Sequence, residues 1–233
     1  MMIDFLSGKT AVLFDLDGLL IDSEPAWDEA DDIFLKKHGV TGIEQLRKDV
    51  LGMGVKEGVE LFKKEGLKGE TEELMQERRA TFLEVFLKNP RLMPGAREII
   101  DAVKQSELRM AIATGGHITD TVRELLKKLD LSGFEVILSS DEVKHGKPAP
   151  DVFLEAAKRL DVKPEEAVVF EDSPNGAKAG KNAGMFVIGV NIDTKLQMAL
   201  DKAGADIVAP ELTAVLPLFK QGCCQGDGQC ACA

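Results

Sequence analysis

The chain has 233 residues, 44% hydrophobic, 30% charged and 5% aromatic, with no Tyr and one Trp, Trp27. Such a length buries one large core, or one core with a smaller insert, and the scarcity of aromatics argues against a base-stacking surface. A formal net charge of -11 repels phosphate backbones and anionic lipid, so neither nucleic acid nor a membrane is expected as a partner.

Met1 to Thr10 lacks a basic segment followed by an apolar one, and no apolar run reaches the ~20 residues of a membrane span, so the cytosol is the expected compartment. Thr10 to Phe14 (TAVLF) is an apolar run of strand formers and predicts a buried strand. It leads directly into Asp15-Leu16-Asp17-Gly18. Two carboxylates two residues apart repel each other unless a cation lies between them, and a hard divalent ion ligated by oxygen meets that need. Gly18 permits a sharp exit, although a plain Asp-Gly turn would fit the same four residues.

Residues 19–92 then form a 74-residue connection before a helix opens near Pro94, where roughly 2–6 residues are usual. Trp27, Ala30 and Phe34, then Val55, Val59 and Phe62, then Leu74, Phe82, Val85 and Phe86 mark three helical stripes. The connection therefore reads as a small helical domain planted beside the strand end, with Pro90 and Pro94-Gly95 marking the return.

Arg109 to Ala113 (RMAIA) is the second predicted strand, ending in Thr114-Gly115. A hydroxyl and free amides before a helix make an anion site, while Thr also serves as an ordinary N-cap. A helical stripe follows at Ile118, Val122, Leu125, Leu126 and Leu129. Glu135 to Leu138 (EVIL) is the third strand, and after it comes Gly146-Lys147-Pro148-Ala149-Pro150. The prolines stiffen this loop and Pro150 can start a helix. Lys147 is either a solvated loop charge or an ammonium held rigidly to neutralise a phosphate. The stripe Val152, Phe153, Ala156, Ala157 and Leu160 precedes the fourth strand, Ala167 to Phe170 (AVVF), which runs into Glu171-Asp172. Ser173-Pro174 can open a helix there, so the acids would also suit a helix N-terminus. Met185 to Val190 (MFVIGV) is the fifth strand.

Strands alternating with amphipathic helices imply an α/β fold, a doubly wound Rossmann-like parallel sheet core with an inserted helical cap domain. The expected division is a core of residues 1–18 and 93–220, a cap of 19–92 and a flexible Cys-rich tail of 221–233. Ligands of such sheets sit at the carboxyl ends of the strands, so the two acidic pairs should converge on one spot. The histidines His38, His117 and His145 show no ligand spacing, and surface or loop positions are expected. His117 is worth testing because it follows Thr114 by three residues. The cysteines, Cys223, Cys224, Cys230 and Cys232, all lie in the tail. The body therefore holds together without disulfides, which suits a reducing compartment. Four thiolates could bind a soft metal, but the Cys-x₂-Cys pairing of such sites is missing.

Taken in order, Asp15-Leu16-Asp17-Gly18, Thr114, Lys147 with its prolines, and Glu171-Asp172 resemble the four motifs of the haloacid-dehalogenase-like hydrolase superfamily. FDLDGLLIDSEP (14–25) and FEDSPNG (170–176) are similar to its β-phosphoglucomutase-like phosphatase branch. The resemblance runs from residue 10 to about 218. It implies a Mg²⁺-dependent phosphomonoesterase acting on a small phosphorylated metabolite, by default a sugar phosphate and otherwise a nucleotide-like monophosphate. In that reading Asp15 attacks phosphorus to give an aspartyl-phosphate, and Asp17 protonates the leaving oxygen and then activates water. Thr114 and the Gly115 amide hold the phosphoryl oxygens, and Lys147 bridges phosphate and Asp15. Mg²⁺ is implied on Asp15, the Asp17 carbonyl and Asp172, with Glu171 adjacent or acting through water.

The resemblance also ranks alternatives. Dehalogenases and phosphonate-cleaving relatives lack the acid at position 17. Sugar-phosphate mutases carry a gating His twelve residues after the nucleophile, where this chain has Trp27, which cannot accept a proton. Hydrolysis is therefore favoured over a phosphomutase. A non-catalytic binding module of the same fold is the weaker alternative. No Arg stands in Leu51-Gly52-Met53-Gly54, where the family often presents one to the substrate, and Lys56 or Arg47 would have to serve. Oligomeric state is left open, and a monomer is compatible with a capped chain of this size.

Overall fold

The computed structural model describes residues 6–41, 46, 50 and 54–219. Six parallel strands form one sheet: β1 (Ala11–Phe14), β2 (Arg109–Thr114), β3 (Val136–Ser139), β4 (Ala167–Glu171), β5 (Phe186–Val190) and β6 (Ile207–Ala209). Their spatial order is β3-β2-β1-β4-β5-β6. The sixth strand escaped the sequence reading because it is three residues long and only its last residue is buried. β1 lies in register between β2 and β4, with Phe14 opposite both Ile112 and Phe170. The chain order reverses at β1, which opens a crevice where β1 and β4 end.

Alternate residues of each strand face opposite layers. Val12, Phe14, Ile112, Val168, Phe170 and Ile188 enter one core with Ile99, Ile100 and Val103 of α4 (Ala96–Gln105) and with Val122, Leu125 and Leu126 of α5 (Thr119–Lys128). Leu13, Ala111, Ala113, Val169 and Val187 enter the other. There they meet Val152, Phe153, Ala156 and Ala157 of α6 (Asp151–Arg159), Ala177 and Ala179 of α7 (Pro174–Asn182), and Leu200 of α8 (Thr194–Lys202). Burial on both faces is why these strands read as continuous apolar runs rather than alternating ones. The short α9 (Leu216–Phe219) closes the described chain.

The long connection leaves and returns as a paired ribbon. Asp22 N–H donates to the Arg91 carbonyl at 3.1 Å and Met93 N–H to that of Leu20 at 3.0 Å, and Ile21 bridges Leu92 antiparallel. Beyond it lie α1 (Glu24–Lys37), α2 (Val55–Lys64) and α3 (Thr71–Phe86). Phe34, Leu35, Val59, Phe62, Leu74 and Met75 give these helices an apolar cluster of their own. Phe82, Val85 and Phe86 of α3 instead join the core cluster of the sheet. Arg47 and residues 51–53, and the tail with its cysteines, lie outside the described residues. Lys56 is exposed on α2. No helix among the described residues is long and apolar enough to cross a membrane.

One buried ion pair ties α1 to α3. Arg78 Nε and Nη2 donate to Asp31 Oδ1 and Oδ2 at 2.6 and 2.8 Å, with both side chains under a tenth exposed. Its guanidinium stacks 4.9 Å from the Trp27 ring and 5.2 Å from Phe62. Gly58 inside α2 makes room for it, since a Cβ there would stand 2.6 Å from Arg78 Nη1. Removing one partner strands the other charge in the interior, so Arg78→Ala is expected to cost about 3–5 kcal/mol in urea unfolding. Arg78→Met with Asp31→Leu should recover most of that loss. A single variant as stable as the parent would contradict this account.

Candidate active site

Each residue singled out from the sequence as chemically active, except Lys147, sits on a strand or within three residues of its carboxyl end. Asp15 continues the β1–β4 ladder, its N–H donating to the Phe170 carbonyl at 3.0 Å. The chain then turns at Gly18, whose φ of +74° suits glycine. A Cβ on Gly18 would collide with Asp172 Oδ2, so the loop after β1 and the loop after β4 pack directly against each other. The two acidic pairs thus converge.

Lys147 joins them. Its side chain is 10% exposed, and Nζ donates to Asp15 Oδ1 at 2.5 Å, Glu171 Oε1 at 2.6 Å and the Ala113 carbonyl at 3.0 Å. These three acceptors use all three of its protons, which rules out a solvated loop lysine. Burial works against its charge, but Asp15 and Glu171 outweigh burial and raise its pKa. The other oxygen of Glu171 accepts from Ser173 N–H at 3.0 Å and Ser173 Oγ at 2.9 Å. Ser173 in turn caps α7, accepting from Gly176 N–H at 3.1 Å. Gly176 is needed here because a Cβ would overlap the Glu171 carboxylate. The helix-opening reading of Ser173-Pro174 and the site reading of Glu171 therefore hold together.

Thr114 is the last residue of β2 and is fully buried. It is not the N-cap of α5, a place taken by Ile118. Its Oγ1 accepts from Gly116 N–H at 3.2 Å and lies 3.4 Å from Asp17 Oδ2. Gly115 stands between, at the mouth of the same loop. Asp17 also meets His117, whose Nε2 is 3.0 Å from Oδ1. Burial alone would raise the Asp17 pKa, but the His117 ring and hydrogen bonds from His117, Ser23 and Trp27 outweigh it and hold the carboxyl below its usual range.

His117 lies in a loop, as expected, but is completely buried rather than solvated. His38 is half-buried against Glu77 and His145 lies exposed beside Asp151. Two further contacts had no sequence signal. Arg79 of α3, buried, bonds Asp141 Oδ2 at 2.7 Å and reaches the Gly116 carbonyl at 3.4 Å, linking the inserted helices to the loops after β2 and β3. Ser23 reaches Asp17 from just before α1.

The electrostatics of the cluster bear on a metal. Burial, with added repulsion from Glu171 and Asp17 and opposed by Lys147, lifts the Asp15 pKa to about 7. Burial together with Glu171 and Asp15 pushes Asp172 well above the ordinary range. One ammonium thus leaves the carboxylates under-neutralised, and a hard divalent cation fits that excess. Among the described residues no three His, Cys, Asp or Glu side chains are grouped as a cage. With Glu171 engaged by Lys147 and Ser173, the side chains that fit an ion are Asp15 and Asp172. Mg²⁺ commonly takes one or two carboxylates and completes its shell with water and phosphate oxygens.

Residues 12–190 match the family described as "Haloacid dehalogenase-like hydrolase". The chain is 35% identical over 209 residues to the phosphorylated carbohydrates phosphatase of Thermotoga maritima, covering 86% of this chain and 94% of that one. It is 34% identical over 220 residues to (DL)-glycerol-3-phosphatase 1, mitochondrial, of Arabidopsis thaliana, covering 89% and 70%. The crystal structure of CbbY from Rhodobacter sphaeroides in complex with phosphate superposes with a TM-score of 0.77 at 27% identity, covering 91% and 99%. The chain belongs to the haloacid dehalogenase-like hydrolase family, as one of its phosphoric monoester hydrolases.

Proposed function

We propose that the protein is a Mg²⁺-dependent phosphatase of a small phosphorylated carbohydrate or polyol, working through an aspartyl-phosphate on Asp15. The observation that carries this reading is the Asp15 carboxylate at the tip of β1, bonded at 2.5 Å to Lys147, with Asp17 two residues on and its Oδ2 3.4 Å from Thr114 Oγ1. The named substrates of its relatives, phosphorylated carbohydrates and glycerol 3-phosphate, suggest the class.

In the first step Asp15 attacks phosphorus, the ester P–O bond breaks, and Asp17 passes a proton to the leaving oxygen. In the second, water attacks phosphorus while Asp17 takes its proton, and the Asp15–phosphorus bond breaks to release phosphate. Without substrate Asp17 is held ionised, the form that activates water. An incoming phosphate dianion raises its proton affinity, which favours the acid form needed first. Thr114 and the loop amides orient the phosphoryl oxygens, and Lys147 offsets their charge. A bound Mg²⁺ would screen the phosphoryl charge from the attacking carboxylate. Residues 19–92 act as the cap, covering the crevice and excluding bulk water.

Phosphate release across a panel of sugar, polyol and nucleoside monophosphates tests the reading. Release is expected with Mg²⁺ and lost in EDTA, and Mg²⁺ alone should raise Tm by relieving carboxylate repulsion. Release unaffected by EDTA would sink the metal assignment. The mutase alternative keeps one support, because an imidazole does face Asp17, supplied by His117 rather than position 27. Isomerisation of a sugar phosphate primed with a bisphosphate, outpacing phosphate release, would establish it instead.

A further inference from the structure

His117 is an unusual use of a buried histidine. Its side chain is 0% exposed, one ring nitrogen contacts Asp17, and the other, Nδ1, has no hydrogen-bond partner. A functional imidazole is ordinarily aimed by a carbonyl or carboxylate on its second nitrogen. Here aromatic faces take that part. The Trp27 ring stacks on it at 5.5 Å and 13°, and Phe82 lies 4.6 Å away at 33°. Trp27 and Phe82 stack on each other at 4.2 Å. Both belong to the inserted helices, α1 and α3, whereas His117 and Asp17 belong to loops of the sheet. Arg79 of α3 holds the same loop through the Gly116 carbonyl.

We infer that His117 is a positioning residue for Asp17, aimed by the Trp27–Phe82 stack, so that the acid–base carboxylate is aligned when the inserted helices are seated on the sheet. The inference rests on the acid–base reading of Asp17 given above. An ionised carboxylate only accepts, so Nε2 donates to Asp17 Oδ1 and fixes one of its two oxygens. Thr114 Oγ1 lies beside the other, at 3.4 Å. Fixing both oxygens restricts the carboxyl to the rotamer that meets the leaving group, and small misplacements of such a group cost rate steeply.

The test uses leaving groups. An alkyl phosphate, such as glycerol 3-phosphate, needs a proton on its departing oxygen, whereas p-nitrophenyl phosphate releases a phenolate that needs none. kcat/KM covers the steps up to formation of the phosphoenzyme. His117→Phe keeps a ring in the stack but loses the donor. Its kcat/KM on the alkyl phosphate should fall about 100-fold, and on the aryl phosphate less than about fivefold. His117→Gln, which restores a donor near the Nε2 position, should recover to within about tenfold. Phe82→Leu keeps His117, Asp17 and Trp27 in place and removes the other face of the stack, 4.6 Å from the imidazole, so it should show the same leaving-group selectivity and keeps the idea testable if the Phe variant does not fold. Equal losses on both substrates would mean a merely structural role and overturn the inference. So would unchanged rates in His117→Phe while Asp17→Asn shows the selective loss. An Asp17→Asn enzyme that retains the alkyl-phosphate rate would overturn the acid–base reading itself, and the positioning role with it.

Discussion

Asp15→Asn should abolish turnover, lowering kcat by about 10⁴-fold or more, while the protein remains folded. The amide is nearly isosteric with the carboxylate and keeps an acceptor for Lys147 Nζ, so the hydrogen bond at the tip of β1 survives. What it lacks is the anionic oxygen that attacks phosphorus. A 10⁴-fold loss corresponds to roughly 5.5 kcal/mol of barrier, more than the loss of one stabilising donor explains. Far-UV circular dichroism and urea unfolding should match the parent, because burying an amide in place of a repelled carboxylate removes a penalty rather than adding one. Phosphate release within tenfold of the parent would end the nucleophile assignment.

Lys147→Met has the second largest expected effect, and it acts on both activity and stability. The thioether fills the channel along Phe153, over whose ring Nζ now lies at 5.0 Å. The ammonium is gone, however, and Asp15 and Glu171 lose the charge that faces them at 2.5 and 2.6 Å. The loss in kcat should be about 10²–10³-fold, the range seen when one preorganised electrostatic group is removed. Unfolding stability should also fall, since a buried acid left without its partner is costly, and Mg²⁺ should restore part of it. Lys147→Arg is not expected to rescue, because a planar fork cannot occupy a site built for three acceptors around one nitrogen. A variant with parental kcat would show that Lys147 holds the structure together but takes no part in the reaction.

The sheet was legible because parallel strands buried on both faces leave unbroken apolar runs, and TAVLF and AVVF are such runs. Ile207–Ala209 was illegible for the complementary reason, being an edge strand of three residues that is mostly half-buried. The inserted helices announced themselves through their spacing, yet their strongest internal tie did not. Asp31 and Arg78 lie 47 positions apart, and each reads in sequence as an ordinary surface charge. The same split runs through the site. Asp15, Thr114 and Glu171 were found because each ends a strand or follows one directly, where topology dictates convergence. Lys147 came from its stiff proline loop together with the family resemblance. His117 and Arg79 act through neighbours from distant segments, and no local pattern encodes that a ring at 117 will lie under an indole at 27. The indole was read as part of a helical stripe and as a replacement for a base, whereas in the folded chain it donates to Asp17.

The paired ribbon at residues 20–22 and 91–93 has a mechanical consequence. Two strands joined by main-chain hydrogen bonds bend readily across their plane, but cannot slide along each other without breaking those bonds. Such a strap hinge permits swinging and forbids shear. Points near the pivot then travel little, and points at the far end sweep a wide arc. Trp27 follows the ribbon by a few residues, so it stays close to Asp17 through small swings. α2, remote from the ribbon in sequence, packs on its neighbouring inserted helices through Val59 and Phe62. The part of the insert that meets Asp17 is thereby the part nearest the pivot.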